Sequence, residues 1–308
     1  MLATVFDDHY KALGSARKPT NGSDGQTKGR KRIISTIREA IDDAGVDPTK
    51  IRGLGMACPG LVNTARGLLI NAPNLGWSNM SLGALIQKEF GCSSAILNDV
   101  DAGTFGEYKL GAAIGARSVL GVFPGTGLGA GFVYDGRLVM GRGVSCMELG
   151  NLVLPGTHIG SSEFGAVPLE DLTSRLAFAA EAGVACHRGQ APLMDKKTKG
   201  NLRDIRSKAL AASVAASEEG VLRIARNSIR YLGMGVASVV NLLAPDHVTL
   251  GGGLVEELPE FYLTHLKEEV TRYAMPPLAK GVKYSIARLG GNAVTAGAVA
   301  WFRENSAA

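Results

Sequence analysis

Cysteine is scarce: the 308-residue chain has four, Cys58, Cys92, Cys146 and Cys186. They are widely separated and none has C-x-x-C spacing, which argues against a disulfide framework or a thiolate zinc site and for reduced, mostly buried thiols. Long apolar runs are missing too. No stretch reaches the ~18 apolar residues of a membrane-spanning helix. The first residues, with Asp7, Asp8 and Lys11, lack the apolar core of a signal peptide. A cytoplasmic protein with no membrane partner is expected. Nor do basic residues gather into a nucleic-acid patch. The net charge is +5, yet lysines and arginines are spread out apart from Lys28, Arg30, Lys31 and Arg32, a run that suits a solvated helix start. Short-period repeats and low-complexity tracts are absent, which excludes a solenoid.

Glycine is what the chain has in excess. Its 41 glycines exceed the average share of about 7% and follow no collagen-like period. They suggest tight strand-to-helix turns or close approach of backbone to a ligand. With 45% hydrophobic and 20% charged residues, the chain buries a sizeable core as one large domain or two ordinary ones.

Ala3–Phe6 and Leu13–Lys18 read as a β-hairpin around Asp7-Asp8-His9-Tyr10. Ile33, Ile34, Ile37 and Ile41 mark one face of a helix that ends near Gly45. A strand over Ile51–Ala57 stops at Pro59-Gly60, and a helix over Leu82–Phe90, a short buried strand Ala95–Leu97 and a helix over Asp101–Leu110 follow. Val119–Phe123 and Gly131–Tyr134 predict a hairpin around a loop from Pro124 to Ala130. Residues 201–243 are helical in pattern, with Val236, Val239, Val240 and Leu243 on an apolar face, and the strand His247–Leu250 leads into Gly251-Gly252-Gly253 and a helix. Strands alternating with helices argue for an α/β architecture.

The glycine-rich loop joins two β-rich runs, so it is neither a Rossmann fingerprint nor a Walker loop, which lead from strand to helix. Alternate glycines from Gly125 to Gly131 free backbone N–H groups to turn toward phosphate oxygens, and the Thr126 hydroxyl adds a donor. A plain glycine-rich hairpin is the competing reading. Asn98-Asp99 sits between a buried strand and a helix, where α/β sheets place ligand contacts. It serves either as a helix N-cap or as a carboxylate that accepts a proton from an attacking hydroxyl. Glu148 and Glu170 are polar groups set among apolar ones. They are surface carboxylates or the fixed acceptors that a hydroxyl-rich ligand requires.

In order along the chain, Cys58-Pro59-Gly60, Asn71-Ala72-Pro73-Asn74-Leu75, Asn98-Asp99, Gly125-Thr126-Gly127-Leu128-Gly129, Glu148-Leu149-Gly150, Leu169-Glu170 and Gly251-Gly252-Gly253 resemble the ROK family of repressors and sugar kinases. The resemblance implies an actin-like ATPase (ribonuclease H-like) fold, α/β, with two lobes and a cleft between them. It places an N-terminal lobe at 1–115, a nucleotide-binding lobe at 116–290 and a returning helix at 291–308. It further implies Asp99 as catalytic base, with Gly60, Asn74, Asn98, Glu148 and Glu170 around a sugar. Thr126, Gly127 and Gly129 would cradle the phosphates of ATP, with Gly252 near the nucleoside. Mg²⁺ would accompany ATP, and the protein would be a homodimer.

Three departures stand against that pattern. The family begins with a strand and an Asp-x-Gly-Gly-Thr phosphate loop, whereas Ala3–Thr20 look like its second and third strands. A late-assigned start or genuine loss gives the same sequence, and loss exposes sheet edges and weakens catalysis. The family's histidine and cysteine cluster is also missing. Asn151 holds the histidine position, and the stretch from Pro155 to Val167, with His158, Ser161 and Ser162, has no cysteine. No structural zinc or other resident metal is therefore expected, and Asn151 would hydrogen-bond a sugar hydroxyl instead. Finally, Gly290-Gly291-Asn292 replaces acidic residues common in relatives. The chain has no room for the winged helix of the family's repressors, so no nucleic-acid partner is expected. The expected function is ATP-dependent phosphorylation of a hexose or N-acyl-hexosamine, glucose first, and the rival is a catalytically impaired sugar-binding or sensing protein.

Overall fold

The computed structural model describes residues 1–155 and 165–305. It divides into two compact units, one of Met1–Ile114, Arg137–Cys146 and Arg288–Ala308, the other of Gly115–Gly136 and Met147–Ala287. Unit 1 opens with β1 (Leu2–Phe6) and β2 (Ala12–Arg17), an antiparallel pair with a bulge between Val5 and Phe6. Their turn is fastened by Asp7, whose Oδ1 accepts from the His9 and Lys11 amides at 2.8 and 2.9 Å. In α1 (Gln26–Ala44), Ile33, Thr36, Ala40 and Ile41 are buried along one stripe. Gly45 ends the helix at φ +62°, its amide reaching the Asp42 carbonyl at 3.0 Å, a left-handed cap that costs glycine no Cβ clash.

β3 (Gly53–Cys58) is followed by β4 (Leu61–Asn63), β5 (Leu68–Ala72) and β6 (Trp77–Ser81), which form an antiparallel sheet of three strands. The sequence pattern suggests no element over 61–81. The reason is visible in the burial: Leu69 and Ala72, and again Trp77 and Met80, are the buried residues of their strands. A spacing of three hides the period-two signature of a strand. Val62, Leu69, Trp77, Met80, Leu82 and Ile96 pack into one apolar cluster. After α2 (Leu82–Phe90), β7 (Ser93–Asn98) runs parallel to β3. α3 (Asp99–Leu110) begins two residues earlier than its apolar pattern suggests, because the Asn98 side chain caps it by accepting from the Val100 and Asp101 amides at 2.7 and 3.2 Å. Such a cap contributes ~1 kcal/mol.

Unit 2 starts with the antiparallel pair β8 (Ser118–Pro124) and β9 (Leu128–Tyr134). Pairing continues to Pro124 opposite Leu128, so the turn is narrower than the sequence suggests: Gly125, Thr126 and Gly127 alone form it, and Gly129 lies within β9. Burial of Val122, Leu128 and Ala130 draws the ladder outward over glycines that accept extended backbone. The short β10 (Arg137–Leu138) belongs to unit 1. Beyond the turn Leu149–Asn151, β11 (Val153–Leu154) pairs with β12 (Val167–Pro168). Then come α4 (Glu170–Thr173), α5 (Arg175–His187), α6 (Pro192–Thr198), α7 (Ser207–Ala215) and α8 (Glu219–Leu243). α8 buries Val236 and Val240 and packs against α5 and, farther along, α10 (Pro259–Tyr273). β13 (His247–Leu250) lies parallel to β8 on one side and to β14 (Lys283–Ile286) on the other, with α9 (Gly253–Glu257) and α11 (Pro276–Gly281) also between β13 and β14 in the chain.

The last helix, α12 (Ala293–Asn305), returns to unit 1 and packs on α3 and β3. Glycine permits the approach. A Cβ on Gly106 would come within 2.5 Å of the Ala293 carbonyl oxygen, and one on Gly297 would fall on that of Ala102. Phe105 closes the contact edge-on against Trp301, ring centroids 5.1 Å apart. Among the described residues no helix is long and apolar enough to cross a membrane.

One buried titratable group gives the fold a pH dependence. His247 is 8% exposed with Nε2 2.8 Å from Ser285 Oγ. Burial, and then the Lys283 charge, hold its pKa below the ordinary 6.5. The unfolded chain therefore binds a proton that the folded chain does not. Stability is full above about pH 6.5 and falls as pH drops below it. Urea unfolding from about pH 8 to about pH 5 is expected to show this slope in the native protein, and His247→Gln is expected to flatten it.

Candidate functional site

In unit 1, Cys58 at the end of β3 stands opposite Asn98 at the end of β7. Both strands release the chain at their carboxyl ends side by side, where open parallel sheets present ligand-binding groups. Asn98 does two jobs there. Its Oδ1 caps α3, and its Nδ2 donates to the Gly60 carbonyl at 3.0 Å. Gly60 sits at φ +97° and a Cβ on it would run into the Asn71 carbonyl, so no other residue fits without moving the loop. Asp99 is the first residue of α3, half-buried, with Oδ1 accepting from the Val100 amide at 3.0 Å. The positive end of the helix favours a carboxylate at that place. Asn74 stands exposed in the turn Pro73–Leu75. Burial pushes the Cys58 thiol up to about 12, and the Asp99 charge adds to it. Cys58 is therefore protonated at neutral pH and inert as a nucleophile.

In unit 2, parallel pairing sets Leu250 opposite Val122. This brings the Gly251–Gly253 run against the start of the glycine turn: the Gly251 amide donates to the Val122 carbonyl at 3.0 Å. Gly252, at φ +85°, has its Cβ position 2.7 Å from the Pro124 oxygen. The turn itself is held from below by Glu170, whose Oε2 accepts from the Leu128 amide at 2.7 Å. A Cβ on Gly127 would collide with that carboxylate, and one on Gly150 would collide with the Leu128 carbonyl at 2.5 Å. The Leu149–Asn151 turn touches both β9 and α4. Beside it the exposed Glu148 accepts from Asn151 Nδ2 at 3.2 Å. Thr126, Gly127, Gly129, Glu148, Asn151, Glu170 and Gly252 thus belong to one neighbourhood of unit 2, while Gly60, Asn98 and Asp99 belong to one of unit 1.

Arg175 joins the unit 2 group without having been picked out from the sequence. Its amide donates to the Gly125 carbonyl at 2.9 Å, and its Nη2 lies 3.4 Å from Thr126 Oγ1. A signal was available. Ser174 caps α5, accepting from the Ala177 amide at 3.2 Å, so Arg175 occupies the first helical position. A cation there opposes the helix dipole, which points to a use other than helix stability. The turn's N–H groups, an exposed hydroxyl and a guanidinium together make a donor set for a multiply charged anion.

All four cysteines are free, and among the described residues no three His, Cys, Asp or Glu side chains gather as metal ligands. His158, Ser161 and Ser162, in the stretch where relatives are expected to carry zinc ligands, lie outside the described residues.

Comparison with known proteins bears on the whole chain. It is 27% identical over 278 residues to a glucokinase of Halalkalibacterium halodurans, covering 89% of this chain and 83% of that one. It is 26% identical to a xylose repressor of Caldicellulosiruptor bescii, over 87% of this chain and 66% of the repressor. The crystal structure of a ROK family glucokinase from Streptomyces griseus in complex with glucose and AMPPNP superposes with a TM-score of 0.82 at 23% identity, over 99% of this chain and 96% of that one. That likeness establishes the actin-like ATPase fold. The ROK family model matches residues 1–305, and the chain therefore belongs to the ROK family.

Proposed function

We propose that the chain is a sugar kinase that transfers the γ-phosphoryl group of ATP to a hydroxyl of a hexose or N-acyl-hexosamine, glucose being the first candidate. The observation that carries this reading is the placement of Asp99, half-buried at the start of α3 and next to the Asn98–Gly60 hydrogen bond at the ends of two parallel strands. In the reaction the sugar oxygen forms a bond to the γ-phosphorus as the bond from that phosphorus to the leaving ADP oxygen breaks. Asp99 takes the hydroxyl proton. Gly60, Asn74 and Asn98 of unit 1 and Glu148, Asn151 and Glu170 of unit 2 are assigned to sugar hydroxyls. Hydrogen bonds to such groups supply specificity because a missing hydroxyl leaves a polar group unpaired.

The substrate ATP enters as its Mg²⁺ complex. The fit of the residues to its phosphates rests on the glycine turn, which offers backbone donors, and on Thr126 and Arg175 beside it. Gly252 is assigned to the nucleoside. Arg175→Ala is expected to raise KM for ATP about tenfold, the value of one charged hydrogen bond, with sugar affinity unchanged. Steady-state titration of each substrate checks the split.

The test of the function is direct detection of product. The protein is incubated with ATP, Mg²⁺ and, separately, glucose, mannose, N-acetylglucosamine and N-acetylmannosamine, with polyphosphate as the alternative donor. Mass spectrometry is expected to find one sugar converted to its monophosphate. Sugar binding with no phosphorylated product from any pair would instead support the sugar-sensing reading.

A further inference from the structure

Residues 169–175 of unit 2 grip the glycine turn at both of its ends. Glu170 Oε2 accepts from the Leu128 amide at 2.7 Å, and the Arg175 amide donates to the Gly125 carbonyl at 2.9 Å. The backbone of this grip is anchored. Leu169 is fully buried, and its amide donates to the Leu152 carbonyl at 2.8 Å. Its side chain fills the space beside Gly235 of α8, where a Cβ would lie 2.3 Å from Leu169 Cδ2. The Glu170 carbonyl accepts from the Ser174 amide at 2.9 Å. The Glu170 side chain, by contrast, is exposed.

The shape of the turn depends on that one side chain. Gly125 donates its N–H to the Gly127 carbonyl at 2.8 Å and Leu128 donates to Glu170, so among the described residues the Thr126 and Gly127 amides remain for an anion. The carboxylate also fills the space beside Gly127, whose Cβ would lie 2.2 Å from Oε2 and 3.3 Å from Oε1. On its other side Oε2 is 3.5 Å from the Cβ position of Gly150, in the turn that holds Asn151 and follows Glu148. Of the two oxygens, only Oε2 is hydrogen-bonded among the described residues.

We propose that Glu170 is a positioning residue that couples the two substrates: a sugar hydroxyl on Oε1 fixes the carboxylate, the carboxylate fixes the Leu128 amide and with it the turn, and sugar and ATP therefore bind cooperatively. This rests on the kinase reading, which assigns Glu170 to the sugar and the turn to phosphate. Ordering a glutamate side chain opposes binding, because rotamer freedom is lost. With one side chain serving both ligands, that cost falls on whichever binds first and spares the second. Coupling is reciprocal, so each ligand tightens the other by the same factor, here about tenfold. The charge works the other way, since a carboxylate beside a phosphate site repels anions. The bridge, and not the charge, supplies the cooperativity.

Three variants separate bridge from charge. Glu170→Gln keeps the reach, with its amide oxygen on Leu128 and its NH₂ on the sugar. Glu170→Asp keeps the charge but withdraws it by about 1.5 Å, out of hydrogen-bond range of Leu128. Glu170→Ala removes both. The test is calorimetric titration of the full chain with the non-hydrolysable ATP analogue AMPPNP and Mg²⁺, with and without glucose or whichever of the four sugars is found phosphorylated, the sugar held at tenfold its own dissociation constant in each variant. The native chain is expected to bind AMPPNP about tenfold more tightly with sugar, and sugar about tenfold more tightly with AMPPNP. Glu170→Gln is expected to keep most of this factor, and Glu170→Asp and Glu170→Ala to bring it to about one. Without any ligand, the Leu128 amide is expected to exchange its hydrogen about tenfold faster in the Asp and Ala variants than in the native and Gln chains.

Coupling that survives in Glu170→Ala overturns the role. Coupling kept by Asp and lost by Gln assigns it to charge. Loss of sugar binding in Glu170→Ala, with AMPPNP affinity and Leu128 exchange as in the native chain, makes Glu170 a sugar group alone. A native chain that phosphorylates a sugar yet shows no coupling sinks this role and leaves the kinase reading standing, whereas a native chain that binds no AMPPNP sinks both.

Discussion

Asp99→Asn is expected to lower kcat by about a hundredfold to ten-thousandfold, the range that a positioned general base contributes, while changing the dissociation constant of the sugar little. The carboxamide has the shape of the carboxylate, and its oxygen still accepts from the Val100 amide that Asp99 Oδ1 engages at 3.0 Å. What it loses is the ability to take the proton as the oxygen–phosphorus bond forms. Positioning and charge stabilisation by the phosphate-binding groups supply the rest of the rate, so residual turnover is expected rather than none. The checks are steady-state kinetics and a sugar titration on the same preparation. A kcat equal to that of the native chain removes Asp99 from the chemistry, and an equal loss of sugar affinity makes it a binding group instead.

Glu107→Ala is expected to be the most destabilising single substitution in unit 1. Glu107 is fully buried in α3. Its Oε2 accepts from the Ala112 and Arg288 amides at 2.8 and 3.0 Å, and its Oε1 from the Leu289 amide at 2.8 Å. Ala112 lies just before the chain first leaves unit 1, and Arg288 is where it returns for the last time. One carboxylate therefore ties both segments to α3, and truncation leaves three backbone donors unpaired. The expected cost is ~3 to 5 kcal/mol. Glu107→Gln keeps an acceptor and is expected to cost less. Gly111→Ala is expected to mimic the loss, since its Cβ would fall on Glu107 Oε2. Urea unfolding measures all three, and a cost below about 1 kcal/mol for Glu107→Ala denies Glu107 this role.

These two residues differ in how much of them the sequence discloses. Asp99 is legible because a buried strand, an Asx pair and a helix follow one another within a few residues, and each has a local signature. The same holds for α1, where the isoleucine spacing and Gly45 mark face and end. Glu107 is not legible, since its partners lie 181 and 182 residues away and nothing near it in the chain marks it as other than a solvated helix residue. Strands β4 to β6 escape notice for a different reason, their buried residues being spaced by three. The breadth of the glycine turn is overestimated because glycine says that backbone is free to bend but not that it does. Gly129 stays extended opposite Phe123. Arg175 reaches Thr126 through the fold of the segment between them, and its one local trace is an arginine at a helix start.

The most direct measurement of the central claim is coupled release of ADP by the native chain with ATP and Mg²⁺, in the presence and absence of each sugar. The account predicts release that depends on one sugar and falls with Asp99→Asn. Release indifferent to every sugar, or none at all from a folded chain that binds sugar, contradicts it.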